Sequence, residues 1–323
     1  KEAVSNTAKE ITDDVPRLIP GTVELMAGSP TESLLFAHSS SDPNTLFTYR
    51  YLWSGEEKLQ SAWQQWDLNG RGDIIGISWV GSSAWLLFAN GTNIDLEEMD
   101  CSPGLMDTGL DFRVHLDRAM GHLEADVSFN SAAKRTTITL PIPLTGNEVI
   151  VAAPGNPENN GSVLYDNFSG YRAGEIVPFT LSSDKKNAFV DNRLEKFWIG
   201  IPYTMTHQLS RPYIRQGTEG TVVMSGRTQL RRATFGIVRS GYFRILCDLK
   251  GRTAQSYIFT PRVVGDPAMD LGLPTVDDAE FQVPISAESS NVAITLINDS
   301  YLPSIFVSAE IEVAHYAKHR RLV

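Results

Sequence analysis

Short apolar runs with a period close to two recur along the whole chain. They are rich in Val, Ile, Thr, Tyr, Phe and Trp, and Gly, Pro, Asn or Asp interrupts them at short intervals. Alternation of this kind predicts half-buried β-strands that are joined by turns. The predicted strands are Ser33–His38, Thr45–Trp53, Asp73–Trp79, Ala84–Ala89, Thr92–Glu97, Leu123–Phe129, Arg135–Leu140, Glu148–Ala152, Glu175–Leu181, Phe197–Leu209, Thr221–Ser225, Arg232–Val238, Tyr242–Leu249, Ser256–Pro261, Glu280–Val283, Asn291–Ile297 and Ser304–Tyr316.

Helical periodicity is scarce. Leu59–Trp66 and the stretch Met106–Arg113 fit a helix or a strand equally well, and both are too short to pack as a helical layer. We therefore predict an all-β fold with less than about a tenth of the residues in helices.

The first part of the chain reads as a series of hairpins with tight polar turns. Gly81-Ser82-Ser83 separates two apolar runs, and Asn90-Gly91-Thr92 precedes the next strand. Asn-Gly between apolar runs is the strongest short-range signal for a hairpin. Regularly placed aromatic residues on antiparallel strands are typical of a propeller blade, but a sandwich would look similar. The tryptophans concerned are Trp53, Trp63, Trp66, Trp79 and Trp85.

The pattern changes twice along the chain. Between Pro141 and Asp191 it is rich in loops, and after Phe197 long strands return. We therefore divide the chain into propeller-like antiparallel hairpins at 1–105, a loop-rich β region at 106–195 and a β-sandwich-like C-terminal domain at 196–323.

The last predicted strand, Ser304–Tyr316, alternates in polarity. Its odd-numbered positions from Ile305 to Val313 are all apolar, and its even-numbered positions are largely polar. A strand with one apolar face requires a partner sheet. Phe197–Leu209 is long enough to provide one, with Trp198 and Tyr203 as anchors across the strands.

Composition narrows the classes of function. The chain has 323 residues and a net charge of −10, which argues against affinity for nucleic acid because such binding depends on basic residues. For most proteins a negative net charge serves only solubility. The sequence contains no apolar run of about eighteen residues, and we expect no signal peptide. Because the chain starts at Lys1, we expect further sequence upstream. The two cysteines, Cys101 and Cys247, form no CxxC pair, and we expect both to be buried free thiols.

The sequence lacks the common catalytic motifs. No GxSxG, HExxH, P-loop, GxGxxG or CxxC pattern occurs. Asp111, His115 and Asp117 could form a metal pair or a base with its orienting acid, but we interpret them as satisfied structural polar residues. His207 is expected in the core or in an interface. We therefore predict no catalytic, cofactor-binding or metal-binding residues.

Two acidic stretches leave alternatives open. Asp67–Asp73 has oxygen-bearing side chains at alternate positions and glycines for a tight turn, but Arg71 occupies a ligand position of a calcium loop. We interpret this stretch, with its Arg-Gly-Asp tripeptide, as a β-turn.

Glycoside hydrolysis requires paired acids, and three carboxylates of the chain leave room for a sugar site, although solvated strand ends are the simpler interpretation. These carboxylates are Glu97, Glu98 and Asp100.

Four blocks of sequence resemble one known family. The first, Leu46–Asp100, begins LFTYRYLWSGEEKLQSAWQQWDLNG, and it is followed by FWIGIPYTMTHQLSRPYIR at Phe197–Arg215, LRRATFGIVRSGYFRIL at Leu230–Leu246, and Phe281–Arg321. Together they resemble the tail tubular protein B family, the nozzle proteins of T7-like short-tailed bacteriophages. The blocks occur in the order that they have in the C-terminal part of these proteins.

The resemblance implies a structural function in the virion tail, after assembly in the host cytoplasm. It implies a homohexameric ring below an adaptor ring of tail tubular protein A-like subunits, contacts with tail fibres, and passage of genomic DNA through the channel without specific binding. It also implies propeller blades at 1–105 and makes 106–195 the candidate for the nozzle tip or for fibre docking. No enzymatic activity, cofactor or membrane span is expected. The alternatives are a polysaccharide-binding or polysaccharide-degrading tail protein and an unrelated β-propeller binding module.

A compact basic cluster stands at the end of this acidic chain. It consists of Lys318, His319, Arg320 and Arg321. A solvated tail and a docking element for an acidic neighbouring surface are both consistent with it.

Overall fold

The computed structural model of the chain describes residues 15, 17–54, 57–68, 70–102, 104, 106–107, 110–156, 171–216, 221–222, 226–261 and 274–316, with the backbone alone at 53–54, 57–60, 215–216 and 221–222. The described residues form β-strands and turns and contain no helix. The predicted all-β fold is thereby confirmed. In the same residues there is accordingly no helix that could cross a membrane. The chain divides into two units, Lys1–Gly104 and Leu105–Val323.

The first unit contains two antiparallel sheets in which sequence neighbours are also neighbours in space. Its strands are β1 Leu25–Ser29, β2 Leu34–His38, β3 Thr45–Ser54, β4 Glu57–Asp67, β5 Asp73–Val80, β6 Ser83–Asn90 and β7 Asn93–Asp100. The strand orders are β1-β2-β3-β4 and β5-β6-β7. The ambiguous stretch Leu59–Trp66 lies within β4, because β3 pairs with that strand along its whole length.

Two-residue turns join the strands of the second sheet. Val80 pairs with Ser83, and Asn90 pairs with Asn93, which confirms the predicted hairpins. Gly81 and Gly91 start the two turns with φ angles of 62° and 61°. These angles lie in the left-handed region, where glycine avoids the steric penalty of a Cβ atom.

One core fills the space between the two sheets of this unit. Phe36 is fully buried, and its ring centroid lies 5.4 Å from that of Trp66 and 4.9 Å from that of Trp79. Leu46, Leu86 and other apolar side chains of both sheets complete this core. Two of the tryptophans that suggested propeller blades therefore pack between the sheets. A propeller arrangement stays a prediction.

The second unit starts with two four-stranded antiparallel sheets. Their strands are β8 Asp117–Gly121, β9 Asp126–Asn130, β10 Arg135–Thr139, β11 Val149–Ala152, β12 Ile176–Val177, β13 Phe179–Leu181, β14 Asn187–Asp191 and β15 Phe197–Ile201. The strand orders are β13-β14-β10-β9 and β12-β11-β15-β8. A shared core includes Ile138 and Val190 from the first sheet and Ile150, Phe197 and Ile199 from the second.

A further pair of sheets follows in the same unit. Its strands are β16 Met205–Gln208, β17 Arg215–Gln216, β18 Thr221–Val222, β19 Arg227–Ser240, β20 Phe243–Leu249, β21 Gln255–Phe259, β22 Asp277–Glu288, β23 Val292–Asn298 and β24 Ile305–Tyr316. The sheet β16-β23-β20-β21 packs against β22-β19-β24, while β17 and β18 form a separate hairpin. Phe243 of the first sheet lies 5.4 Å from Phe281 and 4.8 Å from Phe306 of the second, between ring centroids. Two sheets packed face to face in this way form a β-sandwich.

Strand β24 differs from its prediction in partner and in pattern. It pairs with β19, whereas Phe197–Leu209 is divided between β15 and β16. The register with β19 shifts at Val307, which leaves this residue as the extra one of a β-bulge. A bulge reverses the alternation between the two faces of a strand. Phe306 therefore packs into the core while Val307 is 62% exposed, so the predicted assignment of these two residues to the polar and the apolar face is wrong.

A smaller cluster joins the two sheet pairs of the second unit. Tyr301, in the loop between β23 and β24, donates its hydroxyl to the carbonyl oxygen of Gly174 at 2.9 Å. The carbonyl oxygen of Tyr301 in turn accepts a hydrogen bond from the backbone N–H of His115 at 2.9 Å. The buried members of the cluster are Leu110, Phe112, Val151 and Tyr301.

Candidate functional site

His115 sits beside this cluster and has partners on both its backbone and its ring. Its Nδ1 atom lies 3.0 Å from the hydroxyl oxygen of Tyr203. Burial lowers the pKa of His115, the charge of Arg113 lowers it further, and Asp107 acts in the opposite direction. The imidazole is therefore neutral near pH 7, where it can share one hydrogen bond with the tyrosine. These contacts support the interpretation of His115 as a structural residue, which stays a prediction.

The two aspartates near His115 also have structural surroundings. The backbone carbonyl of Asp111 accepts a hydrogen bond from the guanidinium of Arg239. Asp117 is the first residue of β8, and its charge acts together with burial to raise the pKa of Tyr203. The part of the chain that the structure describes contains no group of three or more His, Cys, Asp or Glu residues that could hold a metal ion.

The two acidic stretches singled out in the sequence meet in the first unit. Arg71 forms an ion pair with Glu97, and the two side chains are only 12% and 21% exposed. Gly72 follows with a φ angle of 99°, and a Cβ atom there would lie 2.2 Å from the carbonyl oxygen of Ala89. The Arg-Gly-Asp tripeptide is thus the tight connection between β4 and β5, with its arginine engaged inside the protein. Asn69 of this stretch lies outside the described residues.

The three carboxylates of β7 do not share one face. Glu97 points toward Arg71, whereas Glu98 and Asp100 are exposed on the other side of the strand. A carboxylate oxygen of Asp100 accepts a hydrogen bond from the backbone N–H of Ser102 at 2.9 Å. Glu97 therefore cannot act together with its neighbours as a pair of acids.

The remaining candidates are dispersed. Cys101 and Cys247 are both free thiols, as predicted; Cys247 is buried and Cys101 partly so. His207 is exposed on β16 at the edge of its sheet, so the expectation of a core position is wrong, and an interface position stays a prediction. The basic cluster at 318–321 lies outside the described residues.

Two further polar sites carry no sequence motif. One is a cleft of about 420 Å³ in the first unit, where the backbone brings His38 close to Glu24 and Asp73. The other is Asn156, which is 6% exposed and ties the end of β11 to the start of β15. Its amide nitrogen donates to the carbonyl oxygens of Ala153 at 2.9 Å and Lys196 at 2.7 Å. Its oxygen accepts from the N–H groups of Glu195 and Lys196, both at 2.8 Å.

Most of these polar residues hold loops, strand ends and sheets together, and the described residues belong to an all-β protein built from antiparallel sheets. The model of the bacteriophage nozzle protein family matches residues 1–322, and the chain belongs to this family. The chain is also 22% identical over 304 residues to tail tubular protein gp12 of Escherichia phage T7. The matched segment covers 92% of this chain, and the chain spans only 37% of the length of that relative. The resemblance seen in the sequence is confirmed, and the chain is a structural component of a phage tail nozzle in the virion.

Proposed function

We propose that this chain forms part of the wall of a homohexameric nozzle, through which genomic DNA leaves the virion. The match of the nozzle family to residues 1–322 carries this proposal. The ring would lie below an adaptor ring and would contact the tail fibres. Its closed symmetry requires head-to-tail contacts, in which different surfaces of neighbouring subunits meet.

The net charge of the chain supports the proposal of a channel that does not bind the DNA that passes through it. A net charge of −10 repels phosphates, and a binding site for DNA would need basic residues that displace counterions. DNA could then slide past the wall without specific contacts. We also propose that the chain has no enzymatic activity, since its family is a structural one.

The three predicted domains would divide this work. We assign propeller-like blades to 1–105, the nozzle tip or a fibre-docking surface to 106–195, and a sandwich to 196–323. The first strand of the last range, β15, pairs with β11 and β8 of the preceding region, so the sandwich itself starts at β16. The two consecutive meanders of the first unit support the first assignment, and the paired sheets around Phe243 support the last. Docking of fibres at 106–195 rests on the family alone.

Labelling of tails tests the proposal directly. A short epitope inserted after Thr253, in the exposed turn between β20 and β21, would leave both sandwiches of the second unit intact. In cryo-electron micrographs of the parent virion, antibody fragments should decorate the tail below the adaptor with six-fold symmetry. Label elsewhere on the particle, or a ring of different symmetry, would overturn the proposed assembly.

Two measurements on the isolated chain complete this test. Fluorescence anisotropy with duplex DNA at physiological salt should show no saturable binding. Incubation with capsular polysaccharide of the host should leave its size distribution unchanged. Depolymerisation of the polysaccharide would instead establish the enzymatic alternative.

A further inference from the structure

Strand β24 is an open edge of the sandwich at the end of the second unit. Among the described residues it pairs only with β19, which lies in the centre of the sheet β22-β19-β24. Each residue of β24 at 308–316 has its own partner on β19, so this part of the edge is regular. An edge strand turns a row of unpaired N–H and C=O groups outward, and such a row is a template for a further strand.

The exposure of β24 shows that its free side is accessible. The four residues at 307–310 are all exposed, although alternate side chains of a sandwich strand normally face the core. Ala309 is exposed even though it pairs with Phe235, which is fully buried. Val313 pairs with the buried Leu230 and is itself 39% exposed. The rim of the core is therefore open along this strand.

The sequence of β24 lacks the features that protect an edge. Proteins block edge strands with proline, with lysine or with charged side chains on the inner face. β24 contains no proline, lysine or arginine. Ile311 packs against the core, so its neighbours Glu310 and Glu312 lie on the opposite face of the strand. The inner face of this edge is therefore apolar and able to accept another strand.

The two sides of the sandwich differ. On the other edge of the same sheet, β22 contains Pro284, which has no N–H group and whose carbonyl oxygen accepts a hydrogen bond from the hydroxyl of Tyr257 at 3.2 Å. This bond places β21, the strand of Tyr257, beside β22 and thus on the side opposite β24. Among the described residues β21 pairs only with β20, and it contains neither proline nor a charged residue. The sandwich therefore has an unprotected strand edge on each of two opposite sides.

We propose that β24 pairs with β21 of a second copy of this chain and thereby forms the contact between neighbouring subunits of the nozzle. Opposite sides of the sandwich meet in this contact, as a head-to-tail ring requires. Backbone hydrogen bonds join the two strands, and the added strand covers Ala309 and Val313. Because β21 is uncharged, it does not repel Glu310. The inference rests on the proposed function, since the occupant is a second copy only in a ring of identical chains.

Hydrogen exchange of the isolated chain and of purified tails tests the pairing. In the isolated chain alternate amides at 308–313 should exchange fast, because their N–H groups point to the free side of β24. In wild-type tails the same amides should exchange at least about tenfold more slowly. Strand β20, which is paired on both sides, is the internal control and should not change. Fast exchange at 308–313 in intact tails would overturn the contact.

Photo-cross-linking identifies the occupant. Val307 is 62% exposed beside the edge, and Val307→p-benzoylphenylalanine places a photoreactive group there. On irradiation of tails it should link to residues of β21, in products that rise from the dimer to the hexamer of the chain. Links to another tail protein would refute the second copy as the occupant. Products that stop at the dimer would refute the head-to-tail arrangement.

A double variant tests whether the open edge is needed. In Ala309→Lys with Val313→Lys, an added strand would bury two ammonium groups, so the yield of tailed particles should fall at least about tenfold. The melting temperature of the chain should stay unchanged, because both positions are exposed. Leu123→Lys with Ala133→Lys adds the same charge at two exposed turn positions, and this matched control should give normal tails. Normal tails with the edge variant would refute the contact, and the exchange of wild-type tails decides the question if this variant does not fold.

The outcomes separate this contact from the proposed function. A tail of six-fold symmetry in which β24 exchanges fast would keep the ring and refute the strand pairing. Slow exchange together with links to β21 in a ring of different symmetry would keep the pairing and refute the homohexamer.

Discussion

Asn156 offers a sharp test of how the second unit is held together. Its amide uses both N–H groups and its oxygen, and all four of its hydrogen bonds go to backbone groups near β11 and β15. Asn156→Asp keeps the size of the side chain and the acceptor for the N–H groups of Glu195 and Lys196. It replaces the donor that faces two carbonyl oxygens with a second, negatively charged oxygen. The substitution therefore changes polarity and almost nothing else.

The expected loss follows from these contacts. Two hydrogen bonds worth about 1 kcal/mol each disappear, and the unsatisfied carbonyls and buried carboxylate add about 1–3 kcal/mol, for a total of about 3–5 kcal/mol. The apposed carbonyls and the burial raise the pKa of the introduced carboxyl group in the folded state above its unfolded value. A raised carboxyl pKa means that the folded state binds the proton more tightly. The deficit should therefore shrink as the pH falls toward 4 and grow as the pH rises.

Hydrogen exchange of the amides in β11 and β15 measures this loss locally, and urea unfolding measures it for the chain. Asn130→Asp is the matched control, because the Asn130 side chain uses only its oxygen, as acceptor for the N–H groups of Ala132 at 3.0 Å and Ala133 at 3.1 Å. It should change stability by less than about 0.5 kcal/mol. Equal effects of the two substitutions, or a deficit of Asn156→Asp that grows in acid, would refute the reasoning.

Three further changes probe the second unit. Tyr301→Phe removes the hydroxyl that bonds to Gly174 and should cost about 1 kcal/mol in urea unfolding, while leaving ring packing unchanged. Phe243→Ala should cost about 3–5 kcal/mol in the same assay, whereas the exposed Phe129→Ala should cost far less. His115 has a lowered pKa in the folded state, so the folded protein favours its neutral ring. The contribution of this neutral ring to the free energy of unfolding is complete above about pH 6.5 and is lost as the pH falls below that value. His115→Gln should flatten this acid limb in thermal melts between pH 7 and 5.

The strands could largely be predicted because local alternation and turn residues determine them. The Gly81 and Asn90-Gly91 turns have a signal within two residues, and the structure places hairpins at both. Leu59–Trp66 was ambiguous from its own pattern, since only pairing with β3 decides between strand and helix. The partner of β24 could not be predicted, because its pairing with β19 joins residues about eighty positions apart. The exposure pattern of β24 could not be predicted either, because the bulge at Val307 reverses which face each side chain occupies.

The polar sites were less accessible to sequence reasoning. The contact of Arg71 with Glu97 was hidden because the two residues belong to separate stretches that only the β5-β6-β7 sheet brings together. The cleft at His38 combines residues from three positions with no motif, and both ring nitrogens of His38 are buried without a hydrogen-bond partner. Such a property depends on burial, which no spacing rule reports. The absence of catalytic motifs, by contrast, was visible in the sequence.

Because β19 lies in the centre of its sheet, the resistance of the sheet to force depends on the direction of the force. This long strand pairs with β22 on one side and with β24 on the other, and both neighbours run antiparallel to it. A force along the strands loads all rungs of these ladders in shear, so that they must break together. A force across the sheet peels β24 from its edge and breaks the rungs one at a time. The sheet therefore resists stretching along its strands far more strongly than unzipping, and a subunit under tension keeps this core only when β19 is aligned with the pull.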